Sequence, residues 1–265
     1  MSTRGLWLGS LLMALSCVGV AVAQDASAVS AAASVSEPQR ALQLRSSAGL
    51  GFGSLAYERP AGAGVELMPT TVFGAAEVAL GVHVQPRRQF SLDIALNYAS
   101  SLGLTMRVEP LFGLPEEVPA RFQRGEFTLA PVIRLGATAE ALRLAIPIGL
   151  SMLSFAPTVG QYSVEPIQFG GPSARAELRA RFGDVVSLRV GPELQWIAWM
   201  SSELADEGAC CQGFAAGGRG ELDALVGSSF RASIAFRQNH AFAPLGGWRF
   251  KSVERLLIAR LAWEP

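Results

Sequence analysis

SARAELRARF, Ser173 to Phe182, can be read two ways, and the two readings build different proteins. Ala, Arg, Glu and Leu are good helix formers, and Ala174, Leu178 and Phe182 would share one helical face. The strict alternation of small and charged residues describes instead a strand with Arg175, Glu177, Arg179 and Arg181 on one face. Such a face needs a polar, enclosed interior. The flanking sequence favours the strand: the stretch ends in a short Gly183-Asp184 turn, and a second alternating segment follows at once, which is the pattern of a hairpin. In that segment, Ser187 to Met200, Leu188, Val190, Leu194, Trp196 and Met200 oppose Arg189, Glu193 and Gln195.

Working outward, a period of two dominates from residue 41 to the end. Ala41 to Tyr57 sets Leu42, Leu44, Ala48, Leu50 and Phe52 against Gln43, Arg45, Ser47 and three glycines. Val72 to Gln85 opposes its valines to Glu77, His83 and Gln85, and Phe90 to Val108 holds one apolar phase against Asp93, Asn97, Thr105 and Arg107. No amphipathic helix keeps that phase so long. Gly125 to Thr138 sets Phe127, Leu129 and Ile133 against Arg134, and Leu142 to Phe155 opposes its apolar residues to Arg143 and Ser151. Ala215 to Val226 groups Arg219, Glu221 and Asp223; Phe230 to Asn239 carries Arg231 and Arg237; Ser252 to Trp263 carries Glu254 and Arg260. The expectation is about ten strands, with eight or twelve also compatible, each long enough to cross a bilayer at a tilt. Their connections alternate long (58–71, 109–124, 156–172, 201–214, 240–251) and short (86–89, 139–141, 183–186, 227–229). An all-β, antiparallel, up-and-down transmembrane barrel is built this way, with its short turns on the periplasmic side.

The start of the chain bears on location. Arg4, an apolar run from Leu6 to Val22 and the small pair Ala21 and Ala23 form the pattern of a secretory signal peptide over residues 1–23. Residues 24–40, rich in Ala and Ser, read as a flexible periplasmic segment, which leaves 41–265 for the barrel. Half the chain is hydrophobic and 17% is charged, yet after the signal no run is long enough for a helical span. Net charge is zero, which gives no support to a nucleic-acid partner. Beyond the signal only Cys210 and Cys211 remain; no CxxC or His set accompanies them, so they read as an oxidised loop pair and not as a metal site.

The charged phase gives the candidate site. Arg45, Glu77, Asp93, Arg134, Arg143, Arg175, Glu177, Arg179, Arg181, Arg189, Glu193, Arg219, Glu221, Asp223, Arg231, Arg237, Glu254 and Arg260 would line a narrow lumen and pair across it, leaving at most an anion-preferring pore or solute site. Phe90, Phe182, Phe230 and Trp263 fall at the expected periplasmic ends of the apolar phase, and Phe127 and Trp196 near the opposite ends, as interfacial girdles would. Inward glycines such as Gly49, Gly51 and Gly53 would make room for bulky arginines. Pro131, Pro147 and Pro192 stand inside proposed strands, where a closed barrel has no free edge, so bulges or rims are expected there.

With its signal, alternation, loop asymmetry and closing RLLIARLAWEP, the chain resembles small outer-membrane β-barrel proteins of Gram-negative bacteria over residues 41–265. In that family a terminal aromatic on the last strand addresses the barrel-assembly machinery; here Trp263 is followed by Glu264 and Pro265. The resemblance implies export by the general secretory pathway to the outer membrane, contact with its lipid and lipopolysaccharide, and no cofactor. The expected function is non-enzymatic: a structural envelope role, or narrow passage of small solutes. Two alternatives stand beside it. One is an outer-membrane hydrolase with His240, Asn239, Ser252 and Glu254 gathered at the extracellular rim; the other is a secreted soluble barrel whose apolar faces turn inward around a ligand.

Overall fold

The structure, a computed structural model, describes residues 42–61, 64–87, 90–108, 116–135, 142–157, 167–183, 185–201, 213–245 and 248–264. The expected signal sequence, the Ala/Ser segment and the Cys210-Cys211 pair lie outside the described residues. All regular structure among the described residues is antiparallel β. The strands are β1 (Leu42–Ala61), β2 (Gly64–Arg87), β3 (Phe90–Leu102), β4 (Thr105–Val108), β5 (Glu116–Arg134), β6 (Leu142–Ala145), β7 (Ile148–Pro157), β8 (Ile167–Arg175), β9 (Glu177–Phe182), β10 (Val186–Ile197), β11 (Trp199–Ser201), β12 (Gly213–Leu225), β13 (Phe230–Leu245) and β14 (Trp248–Trp263). Among the described residues β3 with β4, β6 with β7, β8 with β9, and β10 with β11 each act as one interrupted stave, so the wall has ten staves. The stretch that decides the fold spans the end of β8 and the whole of β9.

The sheet closes on itself because β1 pairs with β2 on one side and β14 on the other. Followed from Leu44, the register passes Val82, Ile94, Leu129, Ile148, Ala174, Leu194, Ala216, His240 and Val253 and returns to β1 at Ala56, 12 residues further on. With the usual rise of about 3.3 Å per residue and strand spacing of about 4.7 Å, that offset tilts ten staves by about 40° and sets a backbone radius of about 10 Å. Arginines on facing walls of such a tube can meet near its axis.

Alternation then separates two surfaces. The outer wall carries Leu50 (65% exposed), Phe52, Val72, Leu150, Leu194 and Ile234 as part of one apolar belt. A belt of that extent far exceeds the apolar patches soluble monomers tolerate. A soluble barrel with its apolar faces turned inward is therefore not what forms.

Two expectations are corrected. The segments 58–71 and 240–251 are mostly ladder, with Ala61 opposite Gly64 and Leu245 opposite Trp248, so the long connections shrink and the staves lengthen. Side-chain alternation, which the sequence displays, fades there among prolines and glycines while backbone pairing, which needs no pattern, continues. The prolines do not bring bulges either. Pro131 and Pro147 lie where β5 passes from β6 to β7, with Ile133 opposite Leu144 on one side and Leu129 opposite Ile148 on the other, and no residue is gained or lost. The missing donors cost only local bridges, since the proline carbonyls still accept from Ile146, Arg175 and Ala176.

Candidate functional site

The lumen has two layers. Toward the end that holds the hairpin tips between β1 and β2 and between β13 and β14, called here the loop end, it is apolar: Leu55, Phe73, Leu104, Val118, Phe122, Leu153, Phe155, Phe169, Ile197 and Phe250 pack together across it, and Leu256 and Ile258 continue the cluster down among the charged side chains. Phe122 is fully buried (0% exposed), with its ring 5.2 Å from that of Phe73, and Phe169 meets Phe250 edge-on at 6.0 Å. The expectation of a lumen polar throughout is corrected here. Gly53 belongs to this layer, since a Cβ on it would strike the Phe73 ring, whereas one on Gly49 would strike the Arg260 and Ile258 side chains. Only the second glycine makes room for an arginine.

Below the apolar layer lies a network of buried ions. Glu126 accepts from Arg237 Nη1 at 2.8 Å and also from Arg175, while Arg237 donates through Nη2 to Glu193. Arg124 donates to Glu254 at 2.5 Å, to the Ser151 hydroxyl at 2.9 Å and to Glu193 at 3.3 Å. Gln195 donates to the Ser151 carbonyl at 2.9 Å. Arg260 bridges Glu77 at 2.7 Å and Glu221 at 3.2 Å. These contacts join staves far apart in the chain, so the network ties the wall together from inside. Desolvating so many ions is tolerated because carboxylate and guanidinium are matched in geometry and several carboxylates serve two or three arginines.

Toward the turn end the network opens. Arg179 donates to Glu177 Oε1 at 2.6 Å and also to Asp93, which accepts from His83 Nδ1 at 2.5 Å. Arg231 reaches Asp223 at 2.9 Å and Glu264 at 3.2 Å; Glu264 also faces Arg45 at 3.3 Å, and Ser187 donates to Asp223 at 2.5 Å. Arg189 lies 3.6 Å from Asp223, and Arg219 lies 4.0 Å from Glu221. A cavity of about 150 Å³ sits within this region.

The strand registers put every charged candidate named from the sequence on a lumen-facing position, though in different layers. Glu193, Arg175, Arg237 and Glu254 join the central network; Arg45, Asp93, Glu177, Arg179, Arg189, Glu221, Asp223 and Arg231 lie nearer the turn end, with Arg134, Arg143 and Arg181 at its rim. Sequence reasoning missed Arg124, Glu126 and Glu264. Starting the fourth stave at Gly125 hid Arg124, and Glu126, at the second residue of that segment, was passed over although both share the phase of Arg134; Glu264 looked like a tail beyond the last aromatic.

Phe90, Phe182, Phe230 and Trp263 face outward near the turn end, and Phe230 stands directly opposite Trp263. Phe127, expected near a rim, is instead mid-wall, because β5 begins at Glu116. Trp196, Phe214 and Phe242 face outward toward the loop end, the last two with ring centroids 5.4 Å apart in a tilted pair. The proposed rim constellation does not assemble: Asn239, Ser252 and Glu254 point into the lumen, whereas His240 is on the outer wall beside Gln238, 2.7 Å away.

The chain is similar to solved outer-membrane proteins. The protease OmpT from Escherichia coli superposes with a TM-score of 0.49 at 13% identity, over 88% of this chain and 99% of that one. An outer membrane channel from Pseudomonas putida F1 gives 0.47 at 10% identity over 88% and 100%, and the translocator domain of the autotransporter NalP from Neisseria meningitidis 0.41 at 10% over 99% of each. No family model and no curated protein matches the sequence. At such identities the likeness extends to barrel architecture and no further.

Proposed function

We propose that this chain is an integral outer-membrane β-barrel with a non-enzymatic, structural role in the envelope, and that its lumen is closed to solute passage. The filled lumen carries the reading: an apolar layer around Phe122 and Phe250 stands above a cross-lumen ion network centred on Glu126, Arg237 and Glu193. A pore that selects by charge needs a continuous wet path lined by that charge, and a packed aromatic layer interrupts such a path. The apolar outer belt supports lipid contact, including lipopolysaccharide on the loop side, and the signal sequence supports export by the general secretory pathway. The final strand, ending at Trp263, is the segment the assembly machinery would engage.

The test joins location to conductance. Protein in isolated outer membranes should change gel mobility on boiling, and the purified barrel in planar bilayers should give no unitary current steps. Stable steps would overturn the closed-lumen reading; recovery as a soluble protein without a heat shift would overturn the membrane reading.

A further inference from the structure

Like charges set directly opposite on neighbouring strands weaken a sheet. At the turn end this barrel repeats that arrangement across four adjacent strands: Arg134 on β5 faces Arg143 on β6, Arg143 faces Arg179 on β9, and Arg179 faces Arg189 on β10. All four belong to the lumen-facing phase, and at normal strand spacing the row is about 14 Å wide. Carboxylates answer only part of it. Arg179 is held by Asp93 and Glu177, and Arg189 has Asp223 at 3.6 Å and Glu221 at 3.9 Å. Arg134 and Arg143 have no ion pair among the described residues, and the charges that bear most on Arg143 are all arginines: Arg134, Arg179, Arg181 and Arg45.

Arg179 and Arg189 line the cavity of about 150 Å³, whose walls also hold Arg45, Arg175, Arg219 and Arg260 against Asp93, Glu177, Glu221 and Glu264, and Arg134 and Arg143 continue the row beyond it at the turn-end rim. A cavity of about that size holds a benzene-sized molecule, and a tetrahedral oxyanion is smaller. The site is reachable, since the Arg45 and Arg189 side chains keep 33% and 29% of their surface accessible. It also has donors to spare: Nε of Arg175 and of Arg260, both buried in the cavity wall, have no hydrogen-bond partner among the described residues.

We infer that this vestibule binds a small phosphate-class oxyanion, held by the guanidinium groups of Arg179 and Arg189 in the cavity wall and of Arg143 and Arg134 at its turn-end rim. Guanidinium forks match phosphate oxygens two at a time, and an anion lying along the row turns repulsion between neighbours into a shared bridge. Chloride, a single small sphere, cannot span two forks. The site depends on solvent access from the turn end and stands whether or not the lumen conducts.

The experiment titrates the purified full-length barrel, in nonionic detergent and phosphate-free buffer at low ionic strength, with inorganic phosphate by calorimetry. Saturable binding is expected. Arg134→Gln with Arg143→Gln should weaken it by about tenfold or more, as loss of charge-assisted hydrogen bonds would, while Arg143→Lys costs less and Arg255→Gln, on the outer wall, costs nothing. Retained heat-modifiability certifies each variant as folded. The unmodified protein supplies a second readout, because phosphate should raise its urea midpoint and chloride at equal ionic strength should not. No saturable binding, equal effects of chloride and phosphate, or binding unchanged in the double variant would each overturn the assignment.

Discussion

Glu126 is the carboxylate on which the central network turns. Replacing it by Gln keeps size and shape and removes only the charge, leaving Arg237 and Arg175 buried with one counterion in place of two. Removing one partner of a buried pair costs about 3–5 kcal/mol, because the other charge is stranded. Here Glu193 remains, accepting from Arg237 and standing 3.9 Å from Arg175, so the low end applies, about 3 kcal/mol, or roughly a hundredfold in the folding equilibrium. The assay is reversible urea unfolding in lipid vesicles, followed by tryptophan fluorescence and by the unboiled gel band. Glu126→Gln combined with Arg237→Gln should cost less than the two single losses added together, since the second change removes the charge the first one stranded. A Glu126→Gln protein within about 0.5 kcal/mol of the parent, at an unchanged denaturant slope, would refute the reasoning and reduce the network to the worth of surface ion pairs.

Three further outcomes are expected. Leu50→Arg, on the exposed outer belt, should cost about 2–4 kcal/mol of folding into vesicles if that wall meets hydrocarbon; an unaffected variant would mean the belt faces something else. Phe122→Ala should cost about 3–5 kcal/mol and let small ions leak through vesicles that the parent leaves tight, and a variant equally stable and equally tight would mean the apolar layer is not the seal. Gly51→Ala should prevent the heat-modifiable form from accumulating, because its methyl would collide with the Leu257 carbonyl across the β1–β14 seam; a normal heat shift would show that the seam can part and re-form around it.

What could be read from the sequence follows from what each force writes into it. The wall was legible because a tube with lipid-like surroundings outside and ions inside imposes a period of two on every stave, and Arg175, Glu177, Arg179 and Arg181 display it even among helix formers. The apolar layer was not. Phe73, Phe122 and Phe250 face inward, yet an inward Phe flanked by Gly or Arg looks locally like a break in the pattern, and only the register shows that the three belong to one packed layer. The same holds for the arginine row: Arg134, Arg143, Arg179 and Arg189 each fit an ordinary inward position, and their being neighbours depends on pairing between four segments. His240 shows the reverse error, where proximity in sequence to Asn239 suggested a shared site although adjacent strand residues point to opposite faces.

The seam between β1 and β14 bears on how the barrel comes to exist. Ser46 bonds across it to Trp263, so the first stave made is completed only by the last. Entropy alone does not forbid this, since each doubling of the intervening chain adds only about 0.6 kcal/mol to closure. Timing is the harder matter: until β14 arrives, β1 and β13 each offer an unpaired ladder of donors and acceptors, an invitation to aggregate. A nascent chain lacking residues 248–263 is thus a sheet with two sticky borders, and its survival becomes a race between the final hairpin and the nearest foreign strand.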